Sequence, residues 1–353
     1  MKALTLVAPS TFEFGEAPAP QPQHGEVLVD IKACGICGSD LHGMDGRSGR
    51  RIPPIIMGHE AAGEISAVGD GVSDWSVGDR VTFDSTEYCG TCPDCEAGNV
   101  NLCKNRKVLG VSCGDYRRHG CFAEQVVLPQ HILYRLPKDL AYEKAAFAEP
   151  VSIALHAVNL APAPKESSPA LTTRQEMAVV VGAGLIGLLV LQALKARGWK
   201  RVFAVDLDDS RLALAKELGA EAVFNAKEEG VAAKLKELGG GDGIDASFEV
   251  VGAAAPVDLA IKSVRKGGTV VLVGNLQATV PFPLQEVVTR QITLKGSCSS
   301  AGEYAEALER IEDGSIRVEP LLSVVAPLSE GGEWFHKAVQ PGNGLLKVVL
   351  KPE

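Results

Sequence analysis

Ala178-Val179-Val180-Val181-Gly182-Ala183-Gly184-Leu185-Ile186-Gly187 is the stretch on which the reading of the fold turns. Four apolar residues make a short strand, a glycine turn follows, and the helical pattern Leu185–Arg197 begins inside the turn. Glycine at 182 permits the tight turn, at 184 it lets a pyrophosphate approach the backbone, and at 187 it lets helix and strand pack closely. The helix start offers free N–H groups and a positive dipole end to phosphate. Asp206 lies 19 residues beyond Gly187, at the end of the apolar run Val202–Val205, where a carboxylate accepts hydrogen bonds from the adenosine ribose hydroxyls. Taken alone, G-x-G-x-x-G would serve a glycine turn in any α/β domain. The residues after it supply the context: helix Ser210–Leu218, strand Ala222–Phe224, helix Val231–Leu238, strand Ile244–Val250, helix Pro256–Val264 and strand Thr269–Val273. Strand alternating with helix predicts a doubly wound parallel sheet with crossover helices.

Upstream the texture changes. The first 150 or so residues are rich in Gly and Pro, with short apolar runs such as Val27–Ile31 and Ala123–Leu128 between turn signals, the pattern of an irregular β-rich domain. Residues 161–173 carry three prolines and several Ser and Thr and are expected to form an exposed loop between domains. From Ile292 the chain returns to mixed strand and helix and is expected to rejoin the first domain, giving 1–155 with 292–353 as one domain and 156–291 as the other. A length of 353 residues fits two domains. The net charge of −9 disfavours a nucleic-acid partner, which would need clustered Lys and Arg. The longest apolar run, Leu185–Leu191, is far short of the ~20 residues of a membrane span, so no membrane partner is expected. Met1-Lys2-Ala3-Leu4 leads into no sustained apolar segment before Pro9 and Glu13, so no secretion signal is read and a cytoplasmic protein is expected.

Nine cysteines are an odd count, and four of them crowd into Cys89–Cys103, which reads as metal binding rather than disulfides. Cys89, Cys92, Cys95 and Cys103 have the spacing C-x2-C-x2-C-x7-C. Four thiolates close a tetrahedral zinc site, at Zn–S distances of about 2.3 Å, with no open position, which makes such a site structural. An iron–sulfur cluster is the competing use of short CxxC steps. A second constellation is Cys37, followed by Ser39, Asp40 and His42, and then Gly58-His59-Glu60. Cys, His and Glu all ligate zinc, and three protein ligands leave the open position that catalysis needs. Singly, Cys37 reads as a small buried hydrophobe, His59 as a satisfied core histidine and Glu60 as a surface acid. Together, upstream of a four-cysteine cluster and a dinucleotide fold, they read as a catalytic metal set.

These residues resemble the medium-chain zinc-containing alcohol dehydrogenases. The match runs from Cys34-Gly35-Ile36-Cys37-Gly38-Ser39-Asp40 through Gly58-His59-Glu60 and the four-cysteine lobe to Glu149-Pro150 and the glycine turn, covering nearly the whole chain. Phe147-Ala148-Glu149-Pro150-Val151-Ser152 marks the polyol branch (sorbitol, xylitol and threonine dehydrogenases), since simple alcohol dehydrogenases usually carry a cysteine ligand near there. The resemblance implies a Rossmann domain beside a β-rich, GroES-like catalytic domain with a zinc lobe. It implies one structural and one catalytic Zn2+, the latter bound by Cys37, His59 and Glu60, with Glu149 either a ligand or the holder of a zinc-bound water. It gives Ser39 and His42 to the proton relay, Gly182, Gly184, Ile186, Gly187, Asp206 and Arg211 to NAD, and Val273, Gly274, Asn275, Ser297, Cys298 and Ser299 to the nicotinamide. It also implies a homodimer or homotetramer. One departure stands out. Where sorbitol dehydrogenases place an Arg-Tyr pair, this chain reads Ser297-Cys298-Ser299-Ser300, without the arginine.

The implied reaction is oxidation of a secondary alcohol of a polyol-like substrate to a ketone. The metal acidifies the hydroxyl, Ser39 and His42 carry its proton to solvent, and a hydride passes to the nicotinamide. A sugar-alcohol phosphate is the variant suggested by Arg47, Arg50 and Arg51, whose other reading is a solvated basic loop. A hydroxy amino acid such as threonine is another. A zinc-free quinone reductase of the same fold would lack the four-cysteine lobe and the Cys37/His59 pair. A non-enzymatic relative would be separated from an enzyme only by a turnover assay.

Overall fold

The computed structural model describes residues 1–112, 118–163 and 176–353, so the loop expected over 161–173 lies, from residue 164 on, outside the described residues. The chain divides into two compact units. The first comprises Met1–Ser152, Ala301–Gly314 and Val318–Glu353, and the second Ile153–Ser300 with Ser315–Arg317.

In the first unit a seven-stranded sheet is built around Glu26–Gly35, which pairs antiparallel with Glu60–Val68, Gln125–Pro129 and Lys347–Lys351. Val27, Val29 and Ile31 join Ile65, Val81, Phe122 and Leu350 in one buried cluster, with Asp30 and Lys32 on the less buried positions of the strand. Each fully buried side chain of this size contributes about 1.5–3 kcal/mol relative to exposure, so the sheet rigidly fixes the ends of its strands. Gly35 pairs with Glu60 at one such end, which brings the residues just after Gly35 beside those just before Glu60.

The second unit is a six-stranded parallel sheet. In chain order its strands are Met177–Val181, Arg201–Asp206, Ala222–Asn225, Ile244–Glu249, Val264–Leu272 and Thr293–Gly296, and across the sheet they run third, second, first, fourth, fifth, sixth. That is the doubly wound order expected from the strand–helix alternation, with ligands bound outside the carboxyl ends of the strands. The first strand is buried at all five positions, as a central parallel strand covered on both faces must be. The sheet corrects one expected boundary. Thr293–Gly296 pairs in parallel with Val264–Leu272, so residues 292–300 belong to this unit and the return to the first unit comes at Ala301. The sequence concealed this because Thr293–Gly296 is an edge strand with mostly exposed residues and no buried apolar run.

Candidate functional site

Cys37 caps the helix Gly38–Gly43, with extended backbone (φ −89°, ψ 150°), and its Sγ accepts the Ser39 N–H at 3.4 Å. Glu60 begins the strand that pairs with the end of Glu26–Gly35, and His59 directly precedes it. Gly58 turns the chain into them with φ +93°, and a Cβ there would lie 2.8 Å from Cys34 Sγ. One ligand atom each from Cys37, His59 and Glu60 lies within 4.8 Å of the other two. Asp40, fully buried, accepts from Arg51 Nη2 at 2.9 Å and Nε at 3.2 Å, and its Oδ1 stands 3.6 Å from His59 Nδ1. With Nδ1 turned toward a carboxylate, the other ring nitrogen is left for a metal. Lys347, also buried, donates to Glu60 Oε2 and to Ile36 O. Burial alone would pull its ammonium down, but Glu60 and Cys37 hold it above the ordinary lysine range.

Glu149, 7% exposed on the first turn of the helix Ala148–Asn159, accepts from Ser85 Oγ at 3.3 Å. Burial, opposed by His59 and aided by Glu60, pushes its carboxyl up to about 7. It stands outside the group of three whose ligand atoms come within 4.8 Å. The local charge fits a divalent ion. With all four ionised, Cys37, Asp40, Glu60 and Glu149 would face two buried cations, Arg51 and Lys347, with an excess of two negative charges that a divalent ion would offset. Such an excess is costly unless a cation neutralises it.

Ser39 Oγ donates to Cys37 Sγ at 3.3 Å. His42 is exposed three residues on, and no hydrogen bond among the described residues joins it to Ser39. The arginines part ways. Arg47 pairs with Asp45 at the surface, Arg50 is exposed, and Arg51 is only 3% exposed and bound to Asp40. Arg51 is therefore no surface anion receptor, which corrects its reading as part of a basic loop.

Cys89, Cys92, Cys95 and Cys103 converge, with Sγ–Sγ distances of 3.5 Å for both the Cys92–Cys95 and the Cys89–Cys103 pairs. A tetrahedron with Zn–S near 2.3 Å has edges of about 3.8 Å, so four thiolates in this arrangement fit a closed zinc site. The backbone N–H of Thr91, followed by the Asn105 amide, pulls the Cys89 thiol down to about 5, whereas burial pushes the Cys95 thiol up to about 12.

In the second unit Gly182 takes φ +102°, and its N–H donates to Val205 O at 2.8 Å. A Cβ on Gly187 would fall 1.8 Å from Gly182 O, whereas one on Gly184 would meet nothing within 4 Å. Gly184 thus borders open space at the start of the helix Leu185–Ala196, whose N-cap makes no side-chain bond. That is the cradle a pyrophosphate requires. Asp206 receives the N–H of Ala183 at 2.6 Å and of Asp208 at 3.0 Å, which ties it to the glycine turn. Ile186 lies half-buried in the first turn of the helix, and the Arg211 N–H is held by Asp208. Val273, Gly274 and Asn275 follow the fifth strand, and Ser297, Cys298 and Ser299 the sixth, at the same carboxyl edge of the sheet as Gly182 and Asp206.

Residues 23–138 match the alcohol dehydrogenase GroES-like domain, and residues 186–313 match the zinc-binding dehydrogenase domain. A sorbitol dehydrogenase of Bacillus subtilis is 32% identical over 100% of this chain and 97% of its own. The chain belongs to the zinc-dependent medium-chain alcohol dehydrogenases. Among solved structures, a galactitol-1-phosphate dehydrogenase of Escherichia coli superposes on this dehydrogenase with a TM-score of 0.88, at 30% identity and 100% coverage of both chains. A zinc-binding dehydrogenase of Sinorhizobium meliloti 1021, bound to NADP, gives 0.87 at 29% identity, with 99% of each chain covered.

Several residues of the dehydrogenase's site carried no sequence signal strong enough to find them. Lys347 stands 287 positions from Glu60, and its one trace is a lysine inside the apolar run Leu345–Leu350. Ser85, which holds Glu149, reads as an ordinary loop serine, and its N–H is bound by the buried hydroxyl of Tyr304 at 3.1 Å. Glu249, fully buried, accepts the N–H groups of Val251 and Gly252 at 2.9 and 2.8 Å. Its trace is an acid closing the apolar strand Ile244–Glu249.

Proposed function

We propose that this dehydrogenase oxidises a secondary hydroxyl of a polyol or sugar-like molecule to a ketone, with NAD as hydride acceptor and one catalytic and one structural zinc per chain. The convergence of Cys37, His59 and Glu60, with the Ser39 hydroxyl on the Cys37 sulfur, carries this reading. Zinc, when bound, supplies the Lewis acidity that makes an alcohol proton labile near neutral pH, and NAD supplies the hydride acceptor. Asp40 places a carboxylate oxygen 3.6 Å from His59 Nδ1, and Lys347 engages one oxygen of Glu60. Ser39 takes the substrate proton, and exposed His42 on the same helix is its outlet to solvent. Glu149, with its carboxyl near the top of its range, is placed to bind a neighbouring hydroxyl or the metal.

A polyhydroxylated substrate agrees with the sorbitol and galactitol-1-phosphate dehydrogenases among its relatives and with the serines of Ser297–Ser300. The unphosphorylated form is favoured because Arg51 is buried against Asp40, which leaves only the exposed Arg47 and Arg50 of the three to meet a phosphate. The test compares kcat/KM for C4–C6 polyols, their phosphates, 2-butanol and benzyl alcohol. Polyols should lead the simple alcohols by tenfold or more, as expected where a site hydrogen-bonds several hydroxyls. A tenfold lead for the simple alcohols overturns the reading.

NAD should be preferred to NADP. A 2′-phosphate would meet the Asp206 carboxylate with Asp208 and Asp209 close behind, and Leu207, 58% exposed, offers it no charge. A higher kcat/KM with NADP would refute this and shift attention to Arg211. We further assign a homodimer or homotetramer. The exposed strand Thr293–Gly296 ends the parallel sheet, and Leu276, Phe282, Leu284 and Val288 beside it in the chain are 46–68% exposed. Sedimentation at the 37.1 kDa monomer mass at micromolar concentration would exclude that. Among the described residues no helix is long and apolar enough to cross a membrane. A cytoplasmic location suits free thiols that serve as metal ligands.

A further inference from the structure

We propose that Arg51 is a positioning residue that ties Ser39 and Asp40 into one unit, so that a single buried guanidinium fixes both the hydroxyl that takes the substrate proton and the carboxylate that orients His59. The inference rests on the functional reading above for the roles of Ser39 and His59. Its geometry is independent of that reading. Arg51 Nη2 donates to Asp40 Oδ1 at 2.9 Å and to Ser39 Oγ at 3.3 Å, Nε donates to the same Asp40 oxygen at 3.2 Å, and Nη1 donates to Arg50 O at 3.2 Å. The guanidinium is thus held from three sides.

Direction matters at Ser39. An arginine is donor only, so the Ser39 oxygen must accept from it, and the hydroxyl proton is thereby turned onto Cys37 Sγ, 3.3 Å away. One lone pair of Ser39 stays free to accept from a substrate hydroxyl, and as Ser39 takes that proton it releases its own, turned from Cys37 Sγ toward solvent, so the oxygen never carries both. Without Arg51, the hydroxyl of this exposed serine rotates among several partners.

Asp40 is the second half. Its Oδ2 is engaged by the Cys37 N–H at 3.4 Å and its Oδ1 stands 3.6 Å from His59 Nδ1, so a shift of this carboxylate changes the surroundings of both Cys37 and His59 at once. Asp40 is fully buried, and the Arg51 charge is what makes that burial tolerable. The backbone leaves room for the arginine. A Cβ at Gly43 would lie 2.6 Å from Arg51 Cγ, so the helix Gly38–Gly43 ends in a residue without a side chain where the arginine passes. Lysine would be no equivalent, since a point charge can pair with Asp40 but lacks the planar fork that reaches Ser39 as well.

The test uses full-length enzyme and two readouts: zinc affinity of the Cys37 site by chelator competition, and kcat and KM at saturating zinc. Arg51→Met should weaken zinc roughly tenfold, within the range for loss of a ligand's hydrogen-bonding support, and lower kcat about tenfold or more with KM within about threefold. Arg51→Lys should restore the zinc affinity but not kcat, a split that a merely structural role would not produce. Gly43→Ala, which removes no charge, should reproduce part of the kcat loss by displacing the arginine, and it serves where Arg51→Met fails to fold. Ser39→Ala combined with Arg51→Met should turn over no more slowly than the worse single variant. The proposal is overturned if Arg51→Met and Gly43→Ala both keep kcat within twofold, if lysine restores kcat fully, or if the effects of the double variant multiply. A neutral Ser39→Ala overturns the relay reading itself, and this inference with it. A neutral Arg51→Met beside a damaging Ser39→Ala removes the inference alone.

Discussion

Cys37→Ala is expected to abolish turnover while leaving the fold standing, with bound zinc falling from two ions per chain to one. The thiol has two duties of very different size. As N-cap of the helix Gly38–Gly43 its sulfur accepts one backbone N–H, and losing a cap costs about 0.5–2 kcal/mol. Spread over a unit with its own large core, that loss lowers the thermal midpoint by roughly 1–8 °C. As a proposed metal ligand it is one of three, and a Lewis acid contributes several kcal/mol to the reacting hydroxyl, so its loss is expected to slow turnover on the order of 10^3-fold or more. Burial also pushes the Cys37 thiol well up in the absence of a metal, so the thiolate and the ion form together. The checks are elemental analysis, a thermal melt and kcat on the same preparation. A variant that retains most of its kcat removes the zinc site from the mechanism.

What the sequence showed and what it hid follow from the range of the interactions. The glycine turn was legible because its residues are adjacent and each glycine answers a local constraint, as the 1.8 Å clash of a Cβ at Gly187 demonstrates. The helix Val231–Leu238 and the strand from Ile244 were legible from periodicity and buried runs. The two clusters of convergent Cys, His and Glu side chains were legible because metal chemistry admits few residue types and the spacings are short. The groups that hold the ligands in place were not. Lys347 reaches Glu60 only because its strand pairs with Gly35, which in turn pairs with Glu60, and no local pattern reports two successive sheet pairings. Arg51 looks like Arg47 and Arg50 in sequence, and only its 3% exposure separates it from them. The strand Thr293–Gly296 was misassigned for the opposite reason, since an exposed edge strand carries no hydrophobic signature.

The other large effect is expected at the lobe, and it should fall on stability rather than chemistry. The short helix Pro93–Glu96 has no buried residue, and of the segment Cys89–Cys103 only Asn101 and Cys103 are buried. A segment with so little apolar burial cannot offset its own backbone ordering, which costs about 1–2 kcal/mol per residue. Four converging sulfurs offer the compensation, because a structural zinc is worth about 10–16 kcal/mol in isolated zinc-finger peptides. Cys92→Ser replaces a thiolate by a hydroxyl that stays protonated and binds zinc weakly. One zinc per chain should then be lost, and proteolysis under native conditions should cut first between residues 89 and 105. Such cutting reports a local opening rather than global unfolding. The thermal midpoint should fall further than in Cys37→Ala, while the freshly prepared variant retains much of its kcat, since Cys92 is no part of the Cys37, His59 and Glu60 group. A Cys92→Ser protein that binds two zincs, resists protease at the lobe and melts like the parent would show that the four sulfurs hold no structural ion.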